Sequence, residues 1–172
     1  MARPSLRWAV NTIAYASHVQ QVRDGPIRQS RRPSPSAGAL HPIDLLVLWP
    51  GRRSTLFLYD AAHHLLHKLA VQSPALLYGL TRSSRDILPD GEGVLLILIG
   101  DMAKVASAYE HPQSLLWRDA GALLQTLNLT ASAYGQAFCA MGVLGNEVLP
   151  AIGAPPQSCA LGVAMLGITV DL

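Results

Sequence analysis

The sequence predicts an α+β fold, one mixed sheet with helices packed on it. Three observations lead to that class. Val94-Leu95-Leu96-Ile97-Leu98-Ile99-Gly100 is an apolar run without alternation, which marks a strand covered on both faces. Residues 114–134 place Leu116, Ala120, Leu123, Leu127, Ala131 and Tyr134 at spacings of three and four, which marks a long helix. In order, the segments read helix, strand, two short strands, helix, strand, two helices, strand, helix, strand, the pattern of an α+β chain.

The first helix is expected over residues 5–22, from Leu6, Val10, Ile13, Ala14 and Ala16–Val19, and Arg23-Asp24-Gly25-Pro26 ends it with turn chemistry. Residues 26–36, rich in proline, serine and arginine, read as a loop. Ile43–Leu48 is a buried strand stopped by Pro50-Gly51, and Thr55–Tyr59 pairs with Leu65–Ala70 through Asp60-Ala61-Ala62-His63-His64. Ser73 caps a helix that has Pro74 in its first turn and runs to about Ser83. Asp101 caps a short helix reaching toward Tyr109. The long helix has Gly121, Ala122, Ser132 and Ala133 between its apolar residues, and only a few polar residues interrupt its surface. Such a helix is expected to be buried nearly all round, as a central helix or a subunit contact. A strand at Phe138–Val143, a short helix near Asn146–Ile152 and a strand at Ala160–Val170 complete the chain.

At 172 residues the chain is expected to form one domain, 1–172, that buries roughly 70% of its unfolded surface. Half the residues are hydrophobic and 14% are charged, against about 25% in an ordinary soluble domain. So little charge implies a large apolar area buried between subunits. Residues 1–53 hold eight arginines and two acids, whereas residues 54–172 hold five bases and nine acids. The basic end could meet a phosphate or an acidic partner, but it lacks the interleaved aromatics or motif of a nucleic-acid binder. No apolar run reaches the length of a membrane span, and Met1-Ala2-Arg3-Pro4 does not begin a signal peptide. A cytoplasmic protein with reduced Cys139 and Cys159 is the expectation.

Several candidate chemistries are weak. His63-His64-x-x-His67 falls in a hairpin and lacks the acid between histidines on a helix face that a zinc site would need, so it reads as solvated turn histidines and no metal is expected. Cys139 and Cys159 sit in apolar segments and read as inert core thiols. Ser36 lacks a nucleophile elbow, and neither glycine-rich nucleotide motif occurs. The remaining stretch of interest is Ser34 to Pro42. Gly38 permits backbone conformations closed to other residues, while Pro35 and Pro42 fix φ on either side. Such a turn is either a structural corner or a backbone cradle for a cofactor.

Pro35-Ser36-Ala37-Gly38-Ala39-Leu40-His41-Pro42-Ile43-Asp44 resembles a segment of the SagB-type dehydrogenases, in the nitroreductase-like flavoprotein superfamily. Three further blocks follow in the family's order: the Leu58–Leu66 hairpin, the Asp119–Leu127 helix segment, and Tyr134–Gly142. The resemblance implies a nitroreductase-like fold and an FMN-binding homodimer, with each flavin at the subunit interface and the long Gln125-bearing helix in the dimer core. It implies an oxidoreductase that passes hydride through flavin N5, possible azoline-type chemistry on a modified peptide, a peptide or small-molecule substrate, and nicotinamide or oxygen as redox partner.

Carried over by position, Pro35, Ser36, Ala37 and Gly38 would lie against the flavin, and Met141 and Gly142 would lie by its reactive nitrogen. The family's Arg-rich N-terminal motif and its C-terminal base have no counterpart here. Arg28, Arg31 and Arg32 are then the candidates for the phosphate, or else a solvated basic loop. Azoline dehydrogenases use a Lys-Tyr pair before the long helix; Ala108-Tyr109 stands here, leaving Tyr109 as the candidate proton donor or acceptor. The competing reading is a flavin-free or shortened family member that serves as a binding or scaffold subunit of a heteromeric dehydrogenase.

Overall fold

The computed structural model of the chain describes residues 6–49 and 54–168. The expected stop at Pro50-Gly51 and the end of the last strand at Val170 lie outside the described residues. Helix α1 (Leu6–Ser17) buries Ala9, Thr12, Ile13 and Ala16 on one face. It ends five residues before the expected Val22. The chain then forms a hairpin, β1 (Gln21–Arg23) against β2 (Gln29–Arg31), where helix and loop were expected. The Val19 amide donates to the Ala61 carbonyl and the Gln20 amide to the Arg31 carbonyl, so these backbone groups are satisfied outside a helix. The hairpin strands are short and largely exposed, so no apolar period announces them.

The main sheet takes β3 (Ile43–Trp49), β4 (Thr55–Asp60), β5 (Leu65–Lys68), β6 (Gly93–Asp101), β7 (Gln136–Met141) and β8 (Ser158–Ile168). Their order is β5-β4-β3-β6-β8-β7, which places β5 and β7 at opposite edges. Each described pairing is antiparallel, so the mixture of strand directions expected from the sequence is not seen among the described residues. The α+β class itself stands, with helices on both faces of the sheet.

Helix α2 (Pro74–Ile87) runs four residues beyond Ser83; Pro74 opens it as expected, but the Ser73 side chain makes no capping bond. Helix α3 (Met102–Ala106) is shorter than expected and is capped by Asp101, whose carboxylate accepts from the Lys104 amide. Helix α4 spans Pro112–Ala133 and α5 spans Val148–Ile152.

The sheet carries a core on each face. Leu45 and Val47 of β3 and Val94, Leu96 and Leu98 of β6 pack with α1 and α4. The alternate residues Leu46, Leu48, Leu95, Ile97 and Ile99 pack with α2 and α5. Covered faces on both sides are the reason β3 and β6 show no polar alternation. Each fully buried leucine or isoleucine contributes about 1.5–3 kcal/mol relative to exposure.

Helix α4 is buried along one face within the single chain. Leu116, Asp119, Ala120, Leu123, Leu127 and Ala131 face the core, while Trp117 and Leu129 are 43% and 62% exposed on the outer face. No helix among the described residues is long and apolar enough to cross a membrane.

Candidate cofactor site

The stretch before β3 folds into a tight turn. Gly38, Ala39 and His41 all have positive φ, at 57°, 55° and 46°. A non-glycine residue in that region costs about 1–2 kcal/mol, so Ala39 and His41 must be held there by their surroundings. The chief holder is Asp119 on the buried face of α4. Its carboxylate accepts from Ser36 Oγ at 2.5 Å and from the Ala37 amide at 3.0 Å. Ser36 Oγ in turn accepts from the His41 amide at 2.9 Å. Gln29 Nε2 donates to the Gly38 carbonyl and Lys104 Nζ to the His41 carbonyl, and the Asp101 amide donates to the Pro42 carbonyl. Elements β2, α3, α4 and β6 thus converge on residues 36–42. Strain concentrated and over-determined in this way is typical of functional turns.

Tyr109, just beyond α3, stands over the turn. A Cβ built on Gly38 would lie 2.6 Å from the Tyr109 hydroxyl, so glycine is needed there for both φ and space. The proposed proton carrier and the proposed cradle are therefore neighbours.

The turn separates two cavities that share Arg32, Pro35, Ser36 and His41. The inner one, about 480 Å³, lies between the hairpin, the start of β3 and the end of β4 and includes Asp44, Tyr59 and Lys104. Its size is that of a small-molecule site. The outer one, about 380 Å³, has Arg23 and Arg31 beside Arg32.

The charges around the inner cavity are perturbed. Burial lowers the Arg32 and Lys104 pKa values, and Arg32 adds repulsion at Lys104. Burial and then the Arg32 charge hold His41 down at about 4, so it is neutral at pH 7. The Asp44 side chain opens on the cavity, where surrounding protein displaces water and raises its pKa, with Lys104 and Arg32 opposing. Burial pushes Tyr59 up to about 12. At the β4–β5 turn, Asp60 accepts from His63 Nδ1 at 2.7 Å and His67 Nε2 at 3.4 Å, and the His63 bond holds its carboxyl well below the ordinary range. Both histidines are more than half exposed, as solvated turn residues would be. Among the described residues no group of three or more His, Cys, Asp or Glu is arranged to hold a metal ion. Burial raises the Cys159 thiol, which reduces its thiolate character.

The fold brings together Pro35, Ser36, Ala37, Gly38, Arg31, Arg32 and Tyr109. It leaves Gln125, Met141 and Gly142 elsewhere. Gln125 is exposed on the outer face of α4 and lines neither cavity. Met141 is buried at the end of edge strand β7, in the core on the α2 side, and Gly142 is open, with nothing within 4 Å of a Cβ built on it.

Sequence reasoning missed Asp119, Lys104 and His41 as parts of the site. Asp119 opens the helix block quoted above and could have been found there. Lys104 had no signal, since its approach to His41 spans 63 residues of chain.

The model of the nitroreductase family matches residues 6–167. The chain belongs to the nitroreductase family. Solved structures agree on the fold. A protein from Anabaena variabilis assigned as a nitroreductase superposes with a TM-score of 0.75 at 20% identity, over 96% of this chain and 36% of that one. A chain of the Escherichia coli microcin synthetase McbBCD complex, solved with truncated pro-MccB17 bound, gives 0.73 at 20% identity, over 98% and 65%. An FMN complex of a protein from Desulfovibrio desulfuricans, also assigned as a nitroreductase, gives 0.59 at 18% identity, over 99% and 77%. This chain therefore spans about a third of the Anabaena protein and just under two thirds of the microcin-synthetase chain. No curated protein sequence matches it.

Proposed function

We propose that the chain is an FMN-dependent oxidoreductase of the SagB type that works as a homodimer, with a peptide or small molecule as substrate. The observation that carries this reading is the strained turn at residues 36–41, fastened by Asp119 and packed at Gly38 against Tyr109. The residues present fit a flat ring with an anionic tail. Gly38 lets Tyr109 sit close over the turn, and arginines flank the turn on the outer cavity. When bound, FMN supplies hydride chemistry that no side chain can.

The chain's own residues divide the remaining work. Ser36 Oγ and the Ala37 amide are committed to Asp119, so they shape the cradle. Pro35 and Gly38 offer it surface, Arg31 and Arg32 offer charge, and Tyr109 holds a proton at its hydroxyl. Met141, Gly142 and Gln125 lie apart from the cradle within one chain, so a second copy would have to bring them to it. The outer face of α4, open at Gly121 and apolar at Trp117 and Leu129, suits that contact.

The ultraviolet–visible spectrum of the purified protein, followed by titration with FMN, tests the reading. Flavin bands, or saturable quenching of added FMN, are expected; a colourless protein that ignores FMN refutes it.

A second reading makes the chain a scaffold subunit of a heteromeric dehydrogenase. It is favoured by the same separation of Met141–Gly142 from the cradle, which a different nitroreductase-like chain could also complete. The likeness to a chain of the McbBCD complex, whose structure holds a bound peptide precursor, fits azoline-type chemistry under either reading. Co-purification of a second such subunit would favour the scaffold; a self-sufficient FMN-loaded homodimer would exclude it.

A further inference from the structure

We infer that the inner cavity is an anion site in which Arg32 and Lys104 together take the phosphate or carboxylate group of a small molecule. Lys104 has no part in the flavin reading above, which it shares only through Arg32.

Positive charge on the wall of this cavity is left without an ion-pair partner among the described residues. Arg32 and Lys104 are both half-buried and both line the 480 Å³ cavity. Among the described residues, neither has a carboxylate within 4.0 Å. Arg32 Nε donates to Ser30 Oγ at 3.1 Å, which leaves its two terminal nitrogens directed elsewhere. Lys104 Nζ has one long bond, 3.4 Å to the His41 carbonyl.

The nearby acids are occupied or distant. Asp119 holds Ser36 and Ala37, Asp60 holds His63 and His67, and Asp101 caps α3. Asp44 attracts both cations without reaching either within ion-pair distance. Arg28, exposed and 4.0 Å from Asp24, adds a third positive charge at the rim.

Half-buried cations that repel each other on one cavity wall favour an anion between them. The repulsion is visible at Lys104 and at His41, both lowered by Arg32 after burial. One anion between Arg32 and Lys104 relieves both effects with charge-assisted hydrogen bonds, for which the arginine fork and the lysine donors are suited. Tyr59 lines the same space, with its hydroxyl paired to His64 Nδ1 at 3.0 Å.

Two sources of anion fit this chemistry: the phosphate of bound FMN, reaching inward past the turn, and the acid group of a separate small molecule. Calorimetric titration of the full chain with inorganic phosphate, FMN and riboflavin separates them. Saturable phosphate binding is expected, weakened at least about tenfold in Lys104→Met and in Arg32→Gln, restored in Lys104→Arg, and unchanged in Arg85→Gln on α2. If FMN binds more tightly than riboflavin, the margin vanishes in Lys104→Met and FMN-saturated protein no longer takes phosphate, the anion is the flavin's own. If FMN-saturated protein still takes phosphate, the anion belongs to a separate ligand.

Phosphate binding with no binding of either flavin supports the anion site and removes the flavin reading. The proposal is overturned if wild-type protein shows neither saturable phosphate binding nor any preference for FMN over riboflavin. It is equally overturned if folded Lys104→Met and Arg32→Gln proteins, checked by circular dichroism, bind phosphate as wild type does. Should one of the two variants fail to fold, the other carries the same test.

Discussion

Ser36 and Asp119 are 83 residues apart in sequence, and the serine hydroxyl donates to the carboxylate across 2.5 Å. That contact ties the turn before β3 to the buried face of α4. The same carboxylate takes the Ala37 amide, so one side chain fixes two consecutive residues of the candidate cradle.

Replacing Asp119 with alanine removes both bonds and leaves the hydroxyl and amide without their acceptor. A loss of about 2–4 kcal/mol is expected, from hydrogen bonds to a charged group plus unsatisfied donors. Ser36→Ala should cost less, about 1–2 kcal/mol, because the bond from Ala37 to the charged group survives although the neutral bond from the His41 amide to Ser36 is lost. Urea denaturation of both variants checks the order. Equal losses would mean that the Ala37 bond contributes no more than the bond from the His41 amide to Ser36.

Gly38→Ala meets two obstacles, the positive φ and the Tyr109 hydroxyl. The backbone alone costs about 1–2 kcal/mol. Tyr109 is partly exposed and can swing aside, so the steric part should be small. In the double variant Gly38→Ala, Tyr109→Phe the steric part disappears and the backbone part stays. Full recovery of stability in the double variant would show that strain at position 38 is negligible.

His41 supplies a pH signature. Its folded pKa of about 4 lies below the ordinary 6.5, so the unfolded chain takes the proton first. Stability is therefore full above about pH 6.5, falls as pH drops toward 4 and levels off below that. The expected loss across the window is ~1–3 kcal/mol after allowance for partial solvent screening. Asp44, raised by burial, gains its proton more readily when folded and opposes the loss at the acid end. His41→Asn, which tolerates a positive φ, should flatten the slope in denaturation curves taken at stepped pH. An unchanged slope would assign the acid sensitivity to other groups.

Association through the outer face of α4 makes Leu129 a test position, since it is 62% exposed in one chain. Leu129→Arg should give a monomer by light scattering while leaving the helical signal unchanged. If the variant stays dimeric, the contact lies on another face.

The regular elements were legible because their residues report their surroundings locally. Continuous apolar runs at Ile43–Leu48 and Val94–Gly100 announce strands buried on both faces, and spacings of three and four announce α4. The hairpin Gln21–Arg31 was not legible, because its short exposed strands bury too little to leave a pattern and are held by backbone pairing with each other. The outer face of α4 was legible only in part: composition shows that a face is apolar without showing what covers it.

By itself, the sequence determined the α+β class, the place of the turn before β3 and the family likeness carried by residues 35–44. Tertiary structure alone decided what the turn is made of: Asp119 as its fastening, Tyr109 over Gly38, and Lys104 beside Arg32 at a cavity. Helix and strand patterns arise from neighbours within a few residues. The site arises where distant segments meet, and contacts across 63 or 83 residues leave no period in the sequence to be read.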